Sequence, residues 1–286
     1  MTPTPVTRFA PSPTGFLHLG HGFSAWFAAA AAGPQGRFLL RVEDIDLGRC
    51  RPDFEAAIYE DLAWLGLTWE TPVRRQSEHF RDYEAALAKL DRAGLLYPCF
   101  CTRTDIQREI AAAGAAPHVS GPDGPIYPGT CRDIAHAERR RRIDAGTPYV
   151  LRLRVDDARA AAGPLTWIDN ERGVTPATPE IFGDVVLARK DVPASYHLAC
   201  TWDDALQGVT LVTRGEDLLP ATHIHRLLQA LWKLPTPRYH HHRLITGPDG
   251  KKFSKRDQAP TLRALRAAGK TKNEVLALVE PPMGAL

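Results

Sequence analysis

The chain has 286 residues, with 36 Lys+Arg against 33 Asp+Glu and a formal net charge of +3. At roughly 150 residues per domain, that length leaves room for about two domains, or one with a large insertion, and for a core that needs neither disulfides nor metal to hold the whole fold. Hydrophobic residues at 44% and charged residues at 24% exclude a mainly disordered, collagen-like or coiled-coil chain.

In chain order, 6–10 reads as a strand, Pro11-Ser-Pro-Thr-Gly15 as turn chemistry, and 20–32 as a helix ended by Gly33-Pro34. Residues 37–43 form a second strand candidate, apolar enough for a parallel sheet, and 53–65 and 80–93 are amphipathic helices. Strands alternating with helices predict a doubly wound α/β fold. The pattern breaks over about 97–180, where a Cys pair, a Gly/Pro-rich loop, an Arg-rich helix and two extended runs (149–155 and 165–168) predict an inserted α+β module. It resumes with 183–189, 196–200, a strand at 209–212 and a helix at 220–232. Residues 243–247 read as a last strand. The expected division is therefore 1–96 and 181–246 as two halves of one Rossmann-like domain, 97–180 as the insertion, and 247–286 as a loop with a short helical end.

No apolar run reaches the roughly 18 residues of a membrane span, and 1–8 lack the layout of a secretory signal. Five cysteines do not make a disulfide framework in a chain of this size, so a reducing cytoplasm, no membrane partner and a monomer are expected. Between Arg238 and Lys272 there are ten Lys/Arg against Asp249 and Asp257, a local balance of +8 on a near-neutral body. Such an end suits a polyanion, phosphates or a nucleic-acid backbone, although a solvated basic face gives the same count.

Two motifs carry chemistry. Arg8-Phe-Ala-Pro-Ser-Pro-Thr-Gly-Phe-Leu-His18-Leu-Gly20-His21 falls at the first strand-to-helix crossover, where a parallel sheet presents a crevice and free N–H groups to a phosphate chain. His18 and His21 can face the same phosphates, and Gly20 and Gly22 leave room for a flat base beside the backbone. Lys251-Lys252-Phe253-Ser254-Lys255-Arg256 follows the turn Gly247–Gly250, a cationic loop suited to charge building on a leaving pyrophosphate. Each alone could be a Gly-rich turn or a solvated basic loop.

Together the two resemble the signatures of class I aminoacyl-tRNA synthetases. R-F-A-P-S-P-T-G (8–15), V-E-D-I-D (42–46), Y-H-L-A (196–199), Asp203-Asp204, R-G-E-D-L-L (214–219) and G-P-D-G-K-K-F-S-K-R (247–256) narrow the likeness to the glutamyl branch. The chain stops 30 residues after Arg256, where glutamyl-tRNA synthetases continue into anticodon-reading domains. It is thus similar to the truncated glutamyl-Q tRNA(Asp) branch, and no anticodon-binding domain is expected. That resemblance implies ATP-dependent activation of L-glutamate to glutamyl-adenylate without tRNA, then esterification of queuosine in the anticodon stem-loop of tRNA(Asp). Phe253 and Arg256 depart from its usual pattern. Alternatives are a truncated synthetase charging an acceptor end and a non-catalytic tRNA-binding module.

By the same resemblance, Arg8, Phe9, Ala10, Pro11, Ser12, Glu43, Tyr196 and Arg214 hold L-glutamate. The chemistry agrees: two guanidiniums suit two carboxylates, each through a bidentate pair, and Glu43 suits the ammonium. ATP falls to His18, Gly20, His21, Lys252, Ser254 and Lys255, with His18, His21, Lys252 and Lys255 as the catalytic set and Mg²⁺ held mostly by phosphates. Cys99, Cys101 and Cys131 with Tyr127 offer three thiolates and a phenol. Spacing alone leaves metal open, whereas the resemblance implies one structural Zn²⁺ with Tyr127 as fourth ligand. His118 and His136 are alternatives for that fourth place.

Overall fold

The computed structural model describes residues 4–112, 120–245 and 260–278. The first half runs β1 (Val6–Phe9), α1 (Leu19–Ala32), β2 (Arg37–Val42), α2 (Pro52–Trp64), β3 (Glu70–Arg75) and α3 (Phe80–Arg92). β1, β2 and β3 pair in that order and in parallel, with Arg8 opposite Leu39. Next come β4 (Leu96–Cys99), α4 (Arg103–Ala112), β5 (Ser120–Gly121), β6 (Gly124–Pro125), α5 (His136–Asp144), β7 (Val150–Leu153), α6 (Val155–Ala162), β8 (Thr166–Asp169), β9 (Gly173–Pro176) and β10 (Val186–Ala188). The chain returns through α7 (Tyr196–Leu206), β11 (Leu211–Gly215), α8 (Ala221–Trp232) and β12 (Arg238–His242), followed by α9 (Leu262–Ala267) and α10 (Lys272–Ala277).

β11 and β12 are parallel, and β12 is parallel to β8. The Thr210 N–H donates to Val6 O at 3.0 Å, and the Val6 N–H donates to Thr210 Oγ1 at 2.9 Å, which sets β11 beside β1. Strand order therefore reverses between β1 and β11, the switch point at which open α/β sheets form a crevice. Helix α1 covers one face, burying Leu19, Phe23, Phe27 and Ala28 against Leu40, Ile58 and Leu62. On the other face α3, α7 and α8 bury Tyr83, Leu90, Leu198, Ile224 and Leu228 in one cluster. The α/β architecture with a parallel sheet, expected from the sequence, is what forms. Among the described residues no helix is long and apolar enough to cross a membrane.

Three elements differ from the expectation. β3 was not expected because Glu-Thr-Pro-Val-Arg-Arg has little apolar signal; it is an edge strand whose arginines are paired, Arg74 with Asp203 and Asp82, Arg75 with Glu55. Among the described residues the last strand is 238–242; Arg243 to Ile245 form no regular element, and 246–247 of the expected strand lie outside the described residues. Alternation explains how this polar strand is buried. His240 and His242 lie edge-on to Phe27 and Phe23 of α1, while Tyr239 and His241 stack on the opposite side. Strand pairing also crosses the boundary expected near 180, since β8 and β9 join β12 whereas β10 pairs with β7. Sheet pairing thus spans residue 180.

Asp61 of α2 is fully buried, and neither carboxylate oxygen has a hydrogen-bond donor, although Arg266 of α9 lies 3.3 Å away. Burial pushes its carboxyl from 3.8 to about 6. The folded state thus binds a proton more tightly than the unfolded chain, so stability is greatest below the lower value and falls as pH rises through the upper one. Asp61→Asn should remove this slope, giving a Tm that gains on wild type between pH 4 and 7; parallel Tm curves would contradict it.

Candidate active site

A cavity of about 520 Å³ opens at the C-terminal ends of β1, β2, β11 and β12. Its walls include Arg8, Phe9, Ala10, Pro11, Ser12, Glu43, Tyr196 and Arg214, together with His18, Gly20 and His21. Every residue assigned to glutamate, and each described residue assigned to ATP, meets here. Lys252, Ser254 and Lys255 lie outside the described residues.

One wall is an ionic cluster built on β1, β2 and α7. Tyr196, Cys200 and Asp204 fall at i, i+4 and i+8, one face of α7, aimed at the sheet. Arg8 Nε and Nη2 donate to Asp204 Oδ1 and Oδ2 at 3.0 and 3.2 Å, and its Nη1 donates to Thr213 O at 3.1 Å. Arg41 Nη1 donates to Asp204 Oδ1 at 2.7 Å, and its Nη2 to Glu43 Oε1 at 3.0 Å. Asp203 faces away, accepting from Arg74, Gln76 and Tyr83. Burial alone would raise the Asp204 carboxyl, but Arg8 and Arg41 hold it down to about 2. Burial raises Glu43, with Arg41 pulling against it, and pushes the Cys200 thiol up to about 12, so Cys200 is a neutral filler here.

This corrects one expectation. The bidentate edge of Arg8 is occupied by Asp204 and its Nη2 also reaches Cys200 Sγ at 3.8 Å, so Arg8 can offer a ligand only its second Nη1 N–H.

Arg214 is different. Its Nε donates to His241 Nε2 at 3.1 Å, Nη1 to Tyr196 Oη at 3.1 Å and lies 3.3 Å from His225 Nδ1, and Nη2 donates to Thr222 Oγ1 at 2.6 Å. Burial pushes His241 down to about 4 and holds His225 well below its ordinary value. This buried guanidinium is therefore ringed by neutral groups. Among the described residues Arg8 and Arg41 share Asp204, with Glu43 and Asp203 also close to Arg41, whereas Arg214 has no carboxylate of its own, which suits an anionic ligand.

At the start of α1 the two histidines cap each other. His18 Nδ1 accepts the Gly20 N–H at 3.1 Å, and His21 Nδ1 accepts the His18 N–H at 3.2 Å, with the rings stacked 3.7 Å apart. With both Nδ1 atoms accepting, each neutral ring carries its proton on Nε2, the tautomer that can donate to a phosphate oxygen. A Cβ on Gly20 would lie 3.1 Å from the His18 ring, so Gly20 protects this cap. Gly22 has no such place: its missing Cβ faces Leu262 and Leu65 in the core, not the cavity. Leu262 N–H donates to Leu17 O and Thr261 bridges His18, while Ile245 lines the cavity, so the described chain on both sides of 246–259 is anchored at this site.

A second cluster joins β4 to the following loops. The sulfurs of Cys99, Cys101 and Cys131 lie within 4.8 Å of one another. Cys101 Sγ is 3.4 Å from Cys131 Sγ and 3.7 Å from Tyr127 Oη. The Phe100 N–H donates to Cys131 Sγ at 3.4 Å, which favours the thiolate, and the Arg152 guanidinium sits 3.9 Å from the centre of the Tyr127 ring. His136 is no part of this cluster, and His118 lies outside the described residues.

Arg41, Asp169, Thr222, His225 and His241 were not expected at the site. Only Arg41 left a signal: two residues before Glu43 on a strand, it shares that residue's face.

Residues 5–279 match the family model of the class I tRNA synthetase (E and Q) catalytic domain. The glutamyl-Q tRNA(Asp) synthetase of Rhodobacter capsulatus is 48% identical over 96% of this chain and 99% of its own length. The glutamate–tRNA ligase of Aquifex aeolicus is 37% identical over 92% of this chain but 54% of its own. A crystal structure of a glutamate tRNA ligase from Elizabethkingia meningosepticum in complex with its amino acid superposes with a TM-score of 0.74, at 30% identity, covering 89% of this chain and 52% of that one.

Asp204→Ala leaves two buried guanidiniums without their shared carboxylate, which should cost about 3–5 kcal/mol in urea unfolding. A loss below about 0.5 kcal/mol, the ordinary range for surface substitutions, would contradict the cluster's role.

Proposed function

The chain belongs to the class I tRNA synthetase (E and Q) catalytic-domain family, and from that premise we propose that it is a glutamate-activating ligase that modifies queuosine in the anticodon of tRNA(Asp). It is a ligase of a class that uses ATP. The observation that carries the glutamate assignment is Arg214, a buried cation whose partners are all neutral. L-glutamate brings two carboxylates and one ammonium, a net charge of −1, which suits a buried guanidinium that has no carboxylate of its own among the described residues. In this reading Arg214 and Tyr196 take one carboxylate, Glu43 takes the ammonium, and the free N–H of Arg8 reaches the other carboxylate. The higher identity to the Rhodobacter capsulatus relative, 48% against 37% for the Aquifex aeolicus glutamate–tRNA ligase, favours transfer to queuosine over charging of an acceptor end.

The reaction needs no protein nucleophile. A glutamate α-carboxylate oxygen attacks the α-phosphorus of ATP, and pyrophosphate leaves with the electrons of the broken P–O bond. A queuosine hydroxyl then attacks the activated carbonyl, its proton is lost, and AMP departs. His18 and His21 would donate from Nε2 to the phosphates, while Lys252 and Lys255, with Ser254, would balance charge on the leaving group. Mg²⁺ entering with ATP, held mostly through phosphate and water oxygens, would add positive charge there. The three sulfurs and the Tyr127 oxygen fit one structural zinc by donor chemistry and convergence.

Two experiments test this. ATP–pyrophosphate exchange should require glutamate but no tRNA, and labelled glutamate should pass to queuosine-containing tRNA(Asp) and not to the unmodified tRNA; label on tRNA(Glu) alone would overturn the reading. Elemental analysis should find one zinc per chain, lost in Cys101→Ser; a metal-free wild type with unchanged Tm would remove the zinc assignment.

A further inference from the structure

The run of three histidines at 240–242 has no place in the function proposed so far, yet its middle member is built into the pocket. His241 and Asp169 are both fully buried, with Nδ1 and Oδ2 2.6 Å apart. On the other side of the ring, Nε2 accepts from Arg214 Nε at 3.1 Å and lies 3.1 Å from Thr222 Oγ1, which itself accepts from Arg214 Nη2. Arg214 and His241 are direct partners across β11 and β12, while Asp169 ends β8.

We infer that Asp169 and His241 are positioning residues that hold Arg214 for the substrate carboxylate. The inference rests on the glutamate reading of the pocket. Asp169 Oδ1 is committed to the turn between β8 and β9, accepting the Glu171 and Arg172 N–H groups at 2.9 and 3.2 Å. Oδ2 is thereby left for His241 and, as a carboxylate oxygen, can only accept. The imidazole must carry its proton on Nδ1 and present a lone pair at Nε2, where Arg214 Nε–H needs an acceptor. The pair also keeps the negative charge one ring away. A carboxylate touching Arg214 directly would neutralise it, whereas a neutral ring orients the guanidinium and leaves its charge for the ligand.

Asp169→Asn is nearly isosteric and discriminates. The two turn N–H groups retain the side-chain oxygen, so the amide NH₂ faces Nδ1, reversing the tautomer and turning an N–H toward Arg214. In glutamate-dependent ATP–pyrophosphate exchange the KM for glutamate should rise about 10- to 100-fold, the cost of one buried bond turned repulsive, with the KM for ATP unchanged. His241→Asn, which keeps a donor toward Asp169 but lacks the Nε2 acceptor, should raise the glutamate KM likewise and decides the matter if Asp169→Asn does not fold. His240→Asn, on the other side of the strand, should leave both KM values unchanged. A folded Asp169→Asn or His241→Asn with the wild-type glutamate KM would overturn the inference, as would equal changes in both KM values tracking a lowered Tm. Wild type lacking glutamate-dependent exchange would instead overturn the glutamate reading, and this inference with it.

Discussion

Asp204 sits between two buried guanidiniums, and the charge of the pocket follows from that sharing. Burying Arg8 and Arg41 without a carboxylate would cost several kcal/mol each, so α7 must present its acidic face to the sheet. Because Asp204 accepts from both, neither cation is available for full bidentate recognition of a ligand. Arg41 is spent on orienting Glu43, and Arg8 closes onto the carbonyl of Thr213. Among the described residues of this wall, the buried guanidinium without a carboxylate of its own is Arg214, on the strand across the switch point. A single shared carboxylate thus separates the residues that hold the pocket together from the residue left to attract an anion.

Geometry of the fold brings these roles together. Arg8, Glu43, Arg214 and His242 come from the ends of four strands, and parallel pairing places those ends on one side. Helix α1 starts at the same edge, and its mutual histidine cap serves two ends with one arrangement. It satisfies backbone N–H groups at the helix start and fixes the tautomer that leaves each Nε2 a donor.

The alternation of apolar strands and helices was legible because burial on both faces of a parallel sheet writes itself into composition. β3 and β12 were not, for a common reason. Their inward positions, half-buried in β3 and buried in β12, carry Arg and His, whose placement there is made possible by partners far away in sequence, such as Asp203 for Arg74 and Asp169 for His241. No local pattern contains that information. The same divide runs through the site. Arg8, Glu43, Tyr196 and Arg214 stood in recognisable motifs, and the structure brings all four to one cavity. The supporting Asp169, Thr222 and His241 look in sequence like ordinary polar residues, and Gly22, read as a base platform, proved a packing contact.

Arg214 is a buried guanidinium with no carboxylate of its own among the described residues, and the proposed ligand brings one excess negative charge. Calorimetric titration of the wild-type protein with L-glutamate and with L-glutamine tests this match most directly, since the two differ by that charge and little else. Glutamate should bind, and glutamine should be weaker by roughly a hundredfold, as expected when a buried cation loses its partner. Equal affinity for the two amino acids would contradict the account.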